Sequence, residues 1–111
     1  MVHWNTDLYN SPNEALHSPN GLSVLAVFLK TCDVENEELT KLTKLMSKIK
    51  YKGQKLVINE SIDLLQLLPK QRSYWTYNGS LTTPPLWETV NWIIFKQPIL
   101  CTEQQVLVLQ I

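Results

Sequence analysis

Gly79-Ser80-Leu81-Thr82-Thr83-Pro84-Pro85 is the stretch that decides how this chain is read, framed by Tyr74-Trp75-Thr76-Tyr77 before it and by Glu88 and Trp92 after it. Two adjacent hydroxyls sit on a loop stiffened by two prolines and flanked by aromatic and branched apolar residues. That combination can orient a small polar reactant beside an apolar pocket. Alone, Thr82-Thr83-Pro84-Pro85 reads more simply as a β-rich turn, so the surrounding sequence has to decide.

Tyr74 to Tyr77 enters the loop as a strand, and Val90 to Phe95 leaves it as another, with Asn91 as its only polar interruption. Upstream, Leu22 to Leu29 follows the turn signal Pro19-Asn20-Gly21, and its near-continuous apolarity predicts one core strand buried on both faces. From Asn36 to Lys50, Leu39, Leu42, Leu45, Met46 and Ile49 recur at helical spacing, with Glu37 and Glu38 in the first turn and lysines in the last. Ser61 to Leu68, ahead of Pro69, predicts a short helical turn. Thr102-Glu103-Gln104-Gln105 matches a capping box ahead of Val106, Leu107 and Leu109 and predicts a terminal helix. There is no internal repeat, low-complexity segment or linker. An aromatic and a histidine follow Met1 almost at once, and Ile111 falls inside an apolar pattern. Domain boundaries are usually polar, so the expectation is part of a larger domain.

With 111 residues, 44% of them apolar and 18% charged, the composition is that of one globular unit. Ten basic residues balance ten acidic ones, and no run of Lys and Arg supplies the footprint that nucleic acid requires. Lys41, Lys44, Lys48, Lys50, Lys52 and Lys55 alternate with apolar residues and read as a solvated face. The longest apolar runs are too short to span a bilayer, and Met1 to Asn5 has neither region of a signal peptide. Cys32 and Cys101 allow one disulfide but no framework, which favours a reducing compartment.

His3 and His17 are the only histidines, and no potential ligands stand at His-x-His or Cys-x-x-Cys spacing. His17, in a polar, turn-rich stretch, reads as a surface residue; His3, beside Trp4, reads as a core histidine with hydrogen-bonded ring nitrogens. Ser80 lacks the Gly-x-Ser-x-Gly elbow, and neither cysteine has a neighbouring base. The threonine pair remains. A hydroxyl that donates one hydrogen bond and accepts others can fix which lone pair of a bound hydroxide faces a substrate, and Thr82 is the candidate for that role.

The run Tyr74-Trp75-Thr76-Tyr77-x-Gly79-Ser80-Leu81-Thr82-Thr83-Pro84-Pro85, with Glu88 and Trp92, resembles the active-site signature of the α-class carbonic anhydrases. His3-Trp4-Asn5, Pro19-Asn20-Gly21-Leu22, Ile49 to Gly53, Gln97-Pro98-Ile99 and Glu103-Gln104-Gln105 extend the resemblance through nearly the whole chain. It covers the middle and later part of a family domain, less than half of one. It implies a mainly β fold with peripheral helices, built on a large twisted mixed sheet with Leu22 to Leu29 and Val90 to Phe95 as central strands. It also implies a zinc enzyme that hydrates carbon dioxide to bicarbonate through a metal-activated water.

Position by position, Thr82 resembles the catalytic gatekeeper threonine and Thr83 its neighbour in the cavity. Val2, Val24, Leu81, Val90 and Trp92 resemble the apolar wall that receives carbon dioxide. His3, Tyr77, Glu88 and Pro85 resemble structural residues near the site, and Pro84-Pro85 the place of a cis proline bond. Met1 to Asn5 aligns with the end of a Glu-Leu-His-x-Val-His-Trp-Asn pattern, so His3 takes the place of a structural histidine. The liganding histidine is then expected immediately before Met1 and the His-x-His pair further upstream, leaving no metal held by this chain alone. Leu86 stands where secreted members often carry a cysteine, which points to a cytoplasmic parent.

Two functional expectations follow: a fragment of a zinc carbonate dehydratase, or a catalytically silent carbonic-anhydrase-related binding module. Histidines in the upstream coding sequence separate them.

Overall fold

A computed structural model describes residues 1–110. Along the sequence run β1 (Val2–Trp4), α1 (Pro12–Leu16), β2 (Leu22–Ala26), β3 (Leu29–Thr31), α2 (Glu37–Met46), a 3₁₀ turn (Leu64–Leu67), β4 (Tyr74–Gly79), β5 (Val90–Phe95), β6 (Ile99–Cys101) and α3 (Glu103–Leu109). They group into two units: Met1–Ala26 with Arg72–Lys96, and Val27–Gln71 with Gln97–Ile111. Ile111, where the sequence pattern runs into the chain end, lies outside the described residues.

The first unit is a four-stranded mixed sheet in the order β1-β2-β5-β4. β2 and β5 pair in parallel, Leu22 opposite Val90 through Ala26 opposite Ile94, while β1 and β4 flank them antiparallel. Leu22–Ala26 and Val90–Phe95 are therefore the central strands, but β2 is fully buried only at Leu22 and Val24, on one face, and not on both as expected. β1 is short and was not foreseen from periodicity, since three residues are too few to display one. α1 lies against this sheet, and Ala15 joins Leu22, Val24 and Val90 in the buried cluster, with Trp4, Tyr9, Leu16, Leu81 and Trp92 packed around it. α1 starts where Ser11 accepts a hydrogen bond from Glu14 N–H and Pro12 occupies the first turn, a start signal visible in Ser11-Pro12-Asn13-Glu14. Gly21 is fixed by contact: a Cβ there would lie 1.7 Å from the Ala15 carbonyl oxygen.

The second unit departs from one expectation. Leu22 to Leu29 is not one strand: pairing stops at Ala26, and the chain resumes as β3, parallel to β6, with Leu29 opposite Ile99. Phe28 and Leu29 are 52% and 37% exposed. The partner strand breaks at the same place, because β5 ends at Phe95 and β6 begins only at Ile99. A continuous apolar run does not mark where a partner's ladder ends. The predicted helix also stops early, at Met46 rather than Lys50. Ser47 caps it with its hydroxyl on the Lys44 carbonyl, and Lys48 and Ile49 continue in tighter i→i+3 bonds. The short turn ahead of Pro69 and the terminal helix form where expected.

The capping box holds more than its own helix. Gln105, 4% exposed, accepts from Thr102 N–H at 3.0 Å and Asn36 N–H at 3.1 Å, and donates to the Asn36 carbonyl and the Thr40 hydroxyl, both at 2.9 Å. Asn36 is itself the N-cap of α2, so one buried amide joins the starts of two helices. The near-buried Glu38 accepts from Lys41 Nζ at 2.6 Å and from Asp63 N–H at 3.1 Å, tying α2 to the 3₁₀ turn. Both cysteines are free.

Gln105→Leu removes four hydrogen bonds and strands buried polar groups at both caps. Urea unfolding is expected to give a loss of about 2–4 kcal/mol with an unchanged m-value. Cys101 is fully buried, and that burial pushes its thiol above the ordinary range. The native state then holds the proton more tightly than the unfolded chain, so this contribution is present below the unfolded thiol's pKa and lost as pH rises through the folded one. Iodoacetamide at mildly alkaline pH is expected to modify the half-exposed Cys32 in the native protein and Cys101 only after unfolding, as read by peptide mass spectrometry.

Candidate active site

Residues that pair across a sheet share a face, and alternate residues along a strand share it too. The register therefore fixes which side chains meet. Val2, Val24, Trp92 and Tyr77 form one row across the four strands, and Trp4, Leu22, Val90 and Gly79 form the next row on the same face. This is the face on which Leu81 packs. Three strands and one loop thus bring Val2, Val24, Leu81, Val90 and Trp92, scattered through the sequence, to one apolar surface. α1 walls its side: a cavity of about 510 Å³ is lined by Val2, His3, Trp4, Pro12, Asn13, Leu16, Leu22 and Leu81.

The loop after β4 is fixed at both ends. Leu81 N–H donates to the Trp87 carbonyl at 3.0 Å, and Leu86 N–H donates to the Thr83 carbonyl at 3.0 Å. The Pro84–Pro85 bond is cis, and Leu86 adopts a positive φ of 60°. Thr82 and Thr83 are exposed, and among the described residues neither hydroxyl bonds to another protein group. Pro85 is exposed on the same loop. Trp92 is fastened to the loop base, its Nε1–H donating to the Ser80 carbonyl at 3.1 Å. Glu88 is exposed and lines a second, smaller cavity of about 360 Å³ with Asn78, Gly79 and Ser80.

On the other face of the sheet, the row beside the threonine loop is polar, whereas Leu25 and Ile93 form an apolar row beyond it. His3, Ser23, Asn91 and Asn78 form the polar row, and the Thr76 hydroxyl donates to Asn91 Oδ1 at 3.0 Å. His3 is exposed, with no ring hydrogen bond among the described residues, which corrects the expectation of a buried core histidine. It stands on an edge strand, and its position in the alternation turns it away from the face that α1 covers. His17 is exposed as expected, but its ring stacks on Trp87, a pairing between residues seventy positions apart that no local pattern signals.

Among the described residues, no group of three His, Cys, Asp or Glu side chains is placed to hold a metal ion. His3 and His17 stand on different elements. The donor set present does not by itself fit a zinc site.

Pro12, Asn13 and Leu16 were not foreseen as cavity residues. α1 itself was not predicted: Ser11-Pro12-Asn13-Glu14 carries its start signal within a stretch that reads as turn-rich, and nothing local signals its docking against the sheet. Thr89 was also missed; it is 7% exposed, and its hydroxyl donates to the Leu16 carbonyl at 3.0 Å.

The chain matches the family profile of the eukaryotic-type carbonic anhydrases over residues 1–110. Carbonic anhydrase 7 of Homo sapiens is 44% identical over 105 residues, which cover 95% of this chain and 39% of that protein. Carbonic anhydrase 1 of Monodelphis domestica and carbonic anhydrase 7 of Mus musculus are each 43% identical over 105 residues, with the same coverage. The chain spans about two fifths of the length of these curated relatives.

At Gly79 the wall leaves no room for a side chain. A Cβ there would lie 2.9 Å from Trp92 Cδ1 and 3.0 Å from Tyr77 Cε2, and the Trp92 indole is already tied to Ser80. Gly79→Ala is expected to displace the indole, abolish the protection of the Trp92 Nε1–H resonance from solvent exchange in NMR spectra, and cost about 1–3 kcal/mol in unfolding experiments.

Proposed function

Because this chain belongs to the eukaryotic-type carbonic anhydrase family, we propose that it supplies the carbon dioxide and bicarbonate wall of a zinc-dependent carbonic anhydrase. The metal-holding histidines would come from chain beyond the described residues. What carries this is the meeting of Val2, Val24, Val90 and Trp92 on one sheet face, with Leu81 packed against the same cluster immediately before Thr82.

Carbon dioxide has no net dipole and gains little from polar partners, so an apolar wall receives it without competing for its oxygens. Bicarbonate is an anion and needs donors. Thr82 brings a hydroxyl that can donate and accept at once, on a loop held at both ends, and Thr83 adds a second hydroxyl beside it. Tyr77 and Gly79 flank Trp92 and Val90 in the sheet, which keeps the wall in register with the loop. The described residues bind and orient. The family implies zinc, and no metal step is assigned to them. Leu86 supports a cytoplasmic setting for the enzyme.

The purified full-length product is expected to bind one zinc per chain and to hydrate carbon dioxide. Thr82→Ala should lower kcat/KM by about a hundredfold, the scale of a misoriented reactant, while Thr82→Ser should retain most of it. A full-length product without zinc or hydration activity but with a specific protein partner would instead identify a silent carbonic-anhydrase-related module.

A further inference from the structure

His17 caps α1, its backbone N–H donating to the Glu14 carbonyl at 3.2 Å. Its ring Nδ1 lies 2.6 Å from the Asn13 carbonyl oxygen. A carbonyl can only accept, so Nδ1 carries a proton, and this bond fixes the tautomer and the swing of the ring. The imidazole held in this way lies 3.8 Å, centroid to centroid, from the Trp87 ring, with the planes inclined by 51°. The Trp87 carbonyl accepts the Leu81 N–H that closes the base of the threonine loop. One residue before His17, the Leu16 carbonyl accepts the hydroxyl of Thr89. Consecutive residues at the end of α1 therefore hold both Trp87 and Thr89, on the downstream side of the loop.

We propose that His17 is a positioning residue for the Thr82–Leu86 loop: stacked on Trp87, it sets where Thr82 and Thr83 stand and so how well a bicarbonate-sized anion fits. This rests on the assignment of those threonines to the substrate. All five residues from Thr82 to Leu86 are exposed, and the loop's closing backbone bonds are those of Leu81 and Leu86. A loop with so little buried surface is readily opened, and its stiffness is borrowed from what its base is fastened to. Trp87 is that base, and the stack adds a contact on its ring that the backbone bonds cannot supply. An imidazole suits the task because it has two rotatable bonds and one ring nitrogen already anchored.

The test uses backbone amide exchange in the purified protein, followed by NMR, with His17→Ala and His17→Phe. His17→Ala is expected to speed exchange at Leu81 and Leu86 by about two- to tenfold, the factor to which an aromatic pair corresponds. Leu25, whose N–H is bonded to the Met1 carbonyl, should be unaffected. His17→Phe, which keeps a stacking ring, should restore protection. In a bicarbonate titration read at the Thr82 and Thr83 amides, His17→Ala should weaken binding by the same factor and His17→Phe should not. Unchanged exchange at Leu81 and Leu86 in His17→Ala overturns the proposal, as does equal acceleration at Leu25 or no rescue by phenylalanine. If the unmodified protein gives no bicarbonate response at these amides, the substrate assignment fails, and the exchange data alone decide whether His17 positions the loop.

Discussion

The parallel pairing of β2 with β5 is the constraint on which the first unit depends. Leu22 N–H reaches back to the Thr89 carbonyl at 3.0 Å, and Leu22 opposite Val90 then sets the register of every residue that follows. A slip of one position would exchange the two faces. If β5 slipped, Val90 and Trp92 would turn to the side now held by Asn91, away from Val24, and the apolar surface beside the threonine loop would be broken. Burial locks the register: Leu22, Val24 and Val90 are all under one tenth exposed, and Ala15 of α1 closes over them. The contact between Gly21 and the Ala15 carbonyl leaves no room for a side chain at the entry to β2, so α1 and β2 can approach closely.

Local chemistry was well written in the sequence, and long-range partnership was not. The capping box at Thr102, the acidic start of α2 and the short turn before Pro69 are decided by residues within a few positions of each other, and each appears where its residues place it. Val90 to Phe95 was legible to the residue because turns bound it on both sides. The run from Leu22 to Leu29 misled because one apolar stretch serves two sheets in turn, and its division follows the end of β5, far along the chain. Family resemblance named Val2, Val24, Leu81, Val90 and Trp92 together, and the register brings four of them to one sheet face with Leu81 packed on it. That α1 would close one side of the cavity, that His3 would stand exposed in the Ser23–Asn91 row, and that His17 would meet Trp87 all depend on tertiary geometry.

The second unit is held by polar interactions at its helix starts. Gln105 answers two orphan donors at the N-terminal ends of α2 and α3 while its own amide protons are taken by Asn36 and Thr40. Every polar atom of that buried side chain has a partner, the condition under which burying an amide is not a liability. Glu38 follows the same logic, with one oxygen on Lys41 and the other on the Asp63 backbone. Lys41 is held above its ordinary pKa, first by its hydrogen bond to Glu38. It is solvent-exposed, so the pair serves to direct Glu38 toward the 3₁₀ turn more than to stabilise the unit.

The first unit is assembled from two separated stretches, with most of the second unit lying between them in sequence. During synthesis from the N-terminus, β1, α1 and β2 emerge long before β5 exists. Their apolar face must wait while Val27–Gln71 is made, and the ladder that defines the sheet can close only once Val90 to Phe95 has appeared. Pairings of such high sequence separation are slow to form and leave strand edges open in the meantime. The order of emergence thus makes the interval before β5 arrives the period in which the nascent chain is most exposed to misassociation.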